Sequence, residues 1–161
     1  MLDIDIVYFS WTGNTKKVAK LIFNELKRDF KVNLIEIKSK NYPYIIWLLL
    51  SFIPNIGVKI NSVKVNSKVI VICMPKWTFN CPPITSFLKQ VNLENKVIYL
   101  VITYGGFDEK RYARYYANKI KRKKGIVKDI LLIKRSKIDE EQIKKFTEKI
   151  ANEVKSTATF K

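Results

Sequence analysis

Three stretches of this chain, Ile4–Phe9, Val69–Met74 and Val97–Thr103, are nearly continuous in apolar and β-branched residues. A strand with water on one face alternates apolar and polar side chains, whereas a strand covered on both faces has no need to. These runs restrict the chain to folds whose sheet is sandwiched between two other layers. Val32–Ile37 and Ile126–Ile133 also read as strands. The first of these alternates more (Val32-Asn33-Leu34-Ile35-Glu36-Ile37), as a strand nearer an edge would. Helical spacing lies between the runs. It spans about Thr15 to Arg28, with Val18, Leu21, Ile22 and Leu26 on one face. It resumes after Pro82-Pro83, which suit a helix start, with Ile84, Phe87, Leu88 and Val91. Tyr112, Tyr115, Tyr116 and Ile120 follow, and then Ile143, Phe146, Ile150 and Val154 behind an Asp139 N-cap that has Gln142 three residues on. Strands and helices alternate throughout, which predicts a doubly wound α/β sheet with helices on both faces. At 161 residues and 47% hydrophobic, the chain is long enough for one full core. Residues 1–155 are expected to form a single domain, with a frayed tail over 156–161.

The absence of histidine excludes His-based triads, His metal sites and His general acid–base catalysis. The two cysteines, Cys73 and Cys81, make no metal-ligand pattern, and Cys73 falls within an apolar strand. The start, Met1-Leu2-Asp3-Ile4-Asp5, carries no basic leader, so a cytoplasmic location is expected, without a disulfide. Net charge is +17, which favours acidic partners or anionic surfaces and also fits a plain lysine-rich solvated surface. No nucleic-acid motif accompanies it, so nucleic acid is not the expected partner. One segment, 44–53 (Tyr44-Ile45-Ile46-Trp47-Leu48-Leu49-Leu50-Ser51-Phe52-Ile53), is apolar on every side yet too short to cross a bilayer, which takes ~20 residues. The first expectation is burial under the loop Pro54–Asn66. A homodimer contact and a peripheral membrane contact are the other covers open to it.

The chemistry gathers at strand ends. After the first run comes Ser10-Trp11-Thr12-Gly13-Asn14-Thr15, a strand–loop–helix junction. Such a junction can wrap a phosphate, because backbone N–H groups and the helix dipole both favour an anion. Ser10, Thr12 and Thr15 add hydroxyl donors, and Gly13 permits close approach. The lysine of a nucleotide-triphosphate loop is missing. The third run ends in Pro75-Lys76-Trp77-Thr78-Phe79-Asn80 and the fourth in Thr103-Tyr104-Gly105-Gly106-Phe107. Aromatics and paired glycines at these ends suit a flat aromatic ligand beside the switch point of the sheet.

With these motifs the chain resembles the flavodoxin superfamily over nearly its whole length. The resemblance implies a three-layer α/β/α sandwich with a five-stranded parallel sheet of order 2-1-3-4-5. It implies FMN rather than FAD as cofactor. Ser10, Thr12, Asn14 and Thr15, with backbone groups of Trp11 and Gly13, would hold the phosphate. The loops Pro75–Asn80 and Thr103–Phe107 would hold the ring, with Trp77 and Tyr104 as its neighbours and Phe79 and Phe107 as alternates. Two departures stand out. Typical flavodoxins are acidic, and they carry a glycine in the loop after the third strand, where this chain has none.

The resulting expectation is an FMN-binding electron carrier that docks an acidic redox protein such as a ferredoxin or a reductase, with no catalytic side chain and no metal. One alternative is an FMN-dependent quinone or protoporphyrinogen oxidoreductase at the membrane face. Another is a flavin-free module of the same fold that binds nucleic acid.

Overall fold

The computed structural model describes residues 3–159, with side chains through Ser156. The five apolar runs become β1 (Asp3–Tyr8), β2 (Lys31–Glu36), β3 (Val69–Pro75), β4 (Val97–Tyr104) and β5 (Ile126–Lys134). They form one sheet of order β2-β1-β3-β4-β5, and every pair is parallel. The burial patterns follow from that order. All seven positions of β3 but the last are buried, whereas the edge strand β2 alternates exposed and half-buried positions. The alternation in Val32–Ile37 thus reported an edge position, and the continuous runs reported central strands.

The helices are α1 (Asn14–Leu26), α2 (Tyr44–Phe52), α3 (Pro82–Gln90), α4 (Glu109–Arg122) and α5 (Glu140–Thr159). Val18, Ile22, Ile143, Phe146 and Ile150 of α1 and α5 pack with Ile4, Ile6 and Val71 in one core. Ile84, Phe87, Tyr112 and Tyr116 of α3 and α4 pack with Val7, Ile70 and Ile72 in the other. Alternate side chains of each central strand serve the two cores. Each fully buried Ile or Phe contributes about 1.5–3 kcal/mol. The Asp139 carboxylate accepts the Gln142 N–H at 3.1 Å, capping α5 as its sequence required. That helix continues through Thr159, past the Ser156 at which fraying was expected. The remainder of the expected tail, 160–161, lies outside the described residues.

One polar group sits deep beside β1. Asp5 is buried and accepts hydrogen bonds from Asn33 Nδ2 (2.8 Å), Asn66 N (2.8 Å) and Ser67 N (2.9 Å). Burial pushes its pKa up, but the donors from Asn33, Ser67 and Asn66 outweigh burial and hold it below the usual value. These bonds tie the long β2–β3 connection to the amino end of β1.

The expected cover of segment 44–53 is overturned. The loop Pro54–Asn66 runs away from α2 toward α3. Asn80 Nδ2 donates to Ile56 O (2.9 Å), Lys89 Nζ to Asn55 O (2.8 Å), and Val58 N to Ser86 Oγ (2.8 Å). Backbone groups in an irregular loop need partners; Ser86 and Lys89 of α3 and Asn80 just before it supply them, while the one polar side chain α2 turns inward, Ser51, is taken up by Thr78. Among the described residues, no helix is long and apolar enough to cross a membrane.

Candidate functional site

A cavity of about 350 Å³ opens at the carboxyl end of the sheet, where β1 and β3 lie side by side. This is where the chain order of the strands reverses, the place at which open α/β sheets bind ligands. Its wall comes from five parts of the chain. Trp11, Thr12, Asn14 and Thr15 come from the β1–α1 junction, and Tyr44, Trp47, Leu48 and Ser51 from α2. Pro75 ends β3 and Lys76, Trp77 and Thr78 follow it, Thr103 ends the buried part of β4, and Arg135 follows β5.

The β1–α1 junction is built to expose donors. Gly13 has φ 93°, in the left-handed region where a side chain is strained, and a Cβ there would meet nothing within 4 Å. Its N–H donates to Ser10 Oγ (3.1 Å), which closes the turn. No side chain caps α1, and the first hydrogen bond of the helix runs from Lys17 N to Gly13 O (2.9 Å). The earlier N–H groups at that end are orphans of the kind an anion satisfies. Asn14 Nδ2 donates to Thr12 Oγ1 (3.1 Å), and the buried hydroxyls of Thr15 and Thr103 meet at 2.7 Å.

The aromatic wall centres on Trp77. Its ring lies 5.7 Å from Phe9, 6.3 Å from Trp11 and 5.3 Å from Trp47, centroid to centroid. Trp11 in turn stacks on Tyr44 at 5.5 Å and 14°. Helix α2 is fastened to the loop after β3. Ser51 O accepts the N–H groups of Phe79 and Asn80 (both 3.0 Å), and Ser51 Oγ pairs with Thr78 Oγ1 (3.0 Å).

Among the described residues no carboxylate lines the cavity, while Lys76 and Arg135 do. The Nε1–H of the buried Trp47, a cavity-lining residue, has no partner. A buried indole donor without a partner is costly, and a ligand acceptor would satisfy it. Hydroxyls, an uncapped helix end, large aromatics and two cations together fit an anionic, aromatic guest, and a cavity of this size accommodates one.

The structure brings together nine residues named from the sequence: Trp11, Thr12, Asn14, Thr15, Pro75, Lys76, Trp77, Thr78 and Thr103. Eight others do not line the cavity. Ser10 and Gly13 shape the turn. Asn80 is fully buried, with its Oδ1 accepting from Thr85 Oγ1 and from Tyr116 OH (3.2 Å), so it braces the loop from beneath. Phe79 packs on Phe52 (5.9 Å) with the Arg111 guanidinium over its ring (5.3 Å). Tyr104 ends β4, and its carbonyl accepts the Arg135 N–H (2.7 Å). Gly105 leaves room for the Arg135 guanidinium, which a Cβ would strike. Gly106 is exposed, and Phe107 is 84% exposed. Sequence reasoning missed Tyr44, Trp47, Leu48, Ser51 and Arg135. A signal existed for Arg135, the second cation in a row after the fifth apolar run. The α2 residues gave only an unexplained apolar segment.

No family model matches the chain. An uncharacterized protein of Archaeoglobus fulgidus is 46% identical over 140 residues, which is 85% of this chain and 89% of that protein. The two belong to one family. Among solved structures, a candidate flavoprotein of Bacteroides eggerthii superimposes with a TM-score of 0.74 at 23% identity, covering 92% of this chain and 98% of that one. A flavodoxin from the domain Archaea gives 0.66 at 20% identity, covering 96% and 99%. The chain has the flavodoxin fold. A flavoprotein of Lactobacillus acidophilus with the same fold, solved in complex with FMN, gives 0.66 at 20% identity, covering 82% of this chain and 93% of that one. The flavodoxin fold places the five-part cavity at the switch point of the sheet, and at these identities the likeness extends to the fold alone.

Proposed function

We propose that the chain binds FMN in this cavity and passes electrons between redox proteins. The observation that carries the reading is a cavity wall of hydroxyls, large aromatics and two cations without a carboxylate, placed at an uncapped helix end. The occurrence of FMN in a Lactobacillus acidophilus protein of the same fold supports it. Thr12, Asn14, Thr15 and the free N–H groups of α1 would take the phosphate. Trp77, with Trp11 and Tyr44, would cover the ring. FMN supplies reversible electron transfer when bound, and the protein tunes it and controls approach.

Lys76 and Arg135 put positive charge on the wall, which favours whichever ligand form carries more negative charge. Bound flavin would therefore be easier to reduce here than in an acidic protein of this fold. The net charge of +17 suits docking with an acidic ferredoxin or reductase, at a rate that falls steeply as salt rises. The test is incubation with FMN, removal of free ligand and an absorbance spectrum. Retained flavin bands with quenched fluorescence support the reading. Colourless protein after FMN, FAD and riboflavin would sink it.

A further inference from the structure

We propose that α2 and the loop tips beside it dock on an anionic lipid bilayer. Helix α2 turns Trp47 and Ser51 inward to the cavity wall. Tyr44 and Leu48 reach the cavity wall as well, while the opposite side of the helix faces out. Ile45 (55%), Leu49 (56%) and Phe52 (49%) follow the i, i+4, i+7 spacing of a single helix face and are about half exposed, and Ile53 (50%), just past the helix end, is exposed beside them. Tyr44 and Ile46 widen that face, and Phe79 extends it through its contact with Phe52. The loop that could have covered it is bonded to α3 and to Asn80 just before it instead. From 41 to 58 the chain has no charged residue, while Lys38, Lys40 and Lys59 flank the stretch.

Charge selects the occupant. The chain carries +17, so a second copy approaching this face meets repulsion, and an anionic surface meets attraction. Cations sit at the margin of the patch. Lys40 Nζ lies 5.8 Å from the Tyr42 ring, and Arg111, itself paired with Asp108, covers Phe79. Protein faces that dock transiently are about as polar as the rest of a surface. Apart from the Tyr44 hydroxyl, this face offers no hydrogen-bonding side chain. An apolar helix with a Trp–Tyr pair at its edge and lysines around it is instead what the headgroup boundary accepts. Nine residues span ~13 Å, so α2 would lie in the interface rather than cross it. The acidic redox partner would then be one held at the same surface. The docking itself does not depend on flavin.

The probe is co-sedimentation with vesicles of phosphatidylglycerol and phosphatidylcholine at low salt, beside pure phosphatidylcholine. The protein should pellet with the anionic vesicles at least 10-fold more strongly than with the neutral ones. The double variant Ile45→Glu, Leu49→Glu, folded by circular dichroism, should bind at least 10-fold more weakly with FMN retention unchanged. Three results would overturn the proposal: wild-type protein left in the supernatant, equal pelleting of the variant, or a salt-resistant dimer in sedimentation equilibrium that the variant dissolves. Saturable binding of an acidic ferredoxin that the variant abolishes, without vesicle binding, would also overturn it and assign the face to a protein.

Discussion

The segments Pro75–Asn80 and Thr103–Phe107 lie at the same edge of the sheet, and each carries two aromatics, yet only the first turns one into the cavity. In the first, Asn80 is buried and holds Ile56, Thr85 and Tyr116, while Ser51 of α2 takes the N–H groups of Phe79 and Asn80. Pinned from beneath and from the side, the loop presents Trp77 to Phe9, Trp11 and Trp47. Among the described residues, the second loop has no buried polar side chain beneath it: Arg135 packs against Gly105 and donates to Tyr104 O, Lys76 Nζ lies 5.8 Å from the Phe107 ring, and the tip leaves Phe107 exposed. Aromatic content alone did not distinguish the two loops. Buried polar anchors did, because they decide where a backbone can stop.

The sharpest way to break this difference is Asn80→Ala. It leaves the Ile56 carbonyl and the Thr85 and Tyr116 hydroxyls short of a partner in the interior, and should cost about 3 kcal/mol in urea unfolding. Trp77→Ala removes one half-buried ring from three aromatic contacts. A loss of about 2 kcal/mol by the same assay, together with loss of retained FMN, is expected. Arg135→Ala should leave the fold intact and weaken FMN binding ~10-fold in fluorescence titration, or about 1.4 kcal/mol.

Lys119 sharpens the comparison through pH. Its Nζ donates to Thr85 Oγ1 (3.3 Å) beneath the β3–α3 loop, and burial, with Lys89 nearby, lowers its pKa to about 8. A lysine depressed in the folded state carries its full penalty below that value. The penalty is relieved as pH rises from about 8 toward the ordinary 10.5. Lys119→Met should therefore raise Tm by ~1–2 °C at pH 7, and by less as pH rises from 8 to 10. Phe107→Ala, on the loosely fastened loop, should move stability by less than ~0.5 kcal/mol. A cost near that of Trp77→Ala would show that the two loops are equally anchored.

Strand positions were legible because burial on two faces leaves a continuous apolar run, and a capped helix start such as Asp139-Glu140-Glu141-Gln142 is a local signal. The strand–turn–helix junction after β1 was legible for the same reason: Ser10 and Gly13 close the turn within four residues. Trp47 and Ser51 were not legible as cavity wall. Their roles depend on α2 folding back against Phe9, Trp77 and Thr78, contacts 27 to 38 residues away in sequence. Asn80 was expected at the ring as the last residue of the loop Pro75–Asn80, and the structure buries it as a brace because α4 delivers Tyr116 to it.

By itself, then, the sequence determined the βα alternation, the central strands and the β2 edge, and the donor-rich loop after β1, since each rests on neighbours a few residues apart. Tertiary structure alone decided which aromatics meet around the cavity, that Arg135 joins Lys76 on its wall, and that α2 keeps one apolar face outward. Those outcomes depend on which distant segments supply hydrogen-bond partners to irregular backbone, and no local pattern encodes that choice.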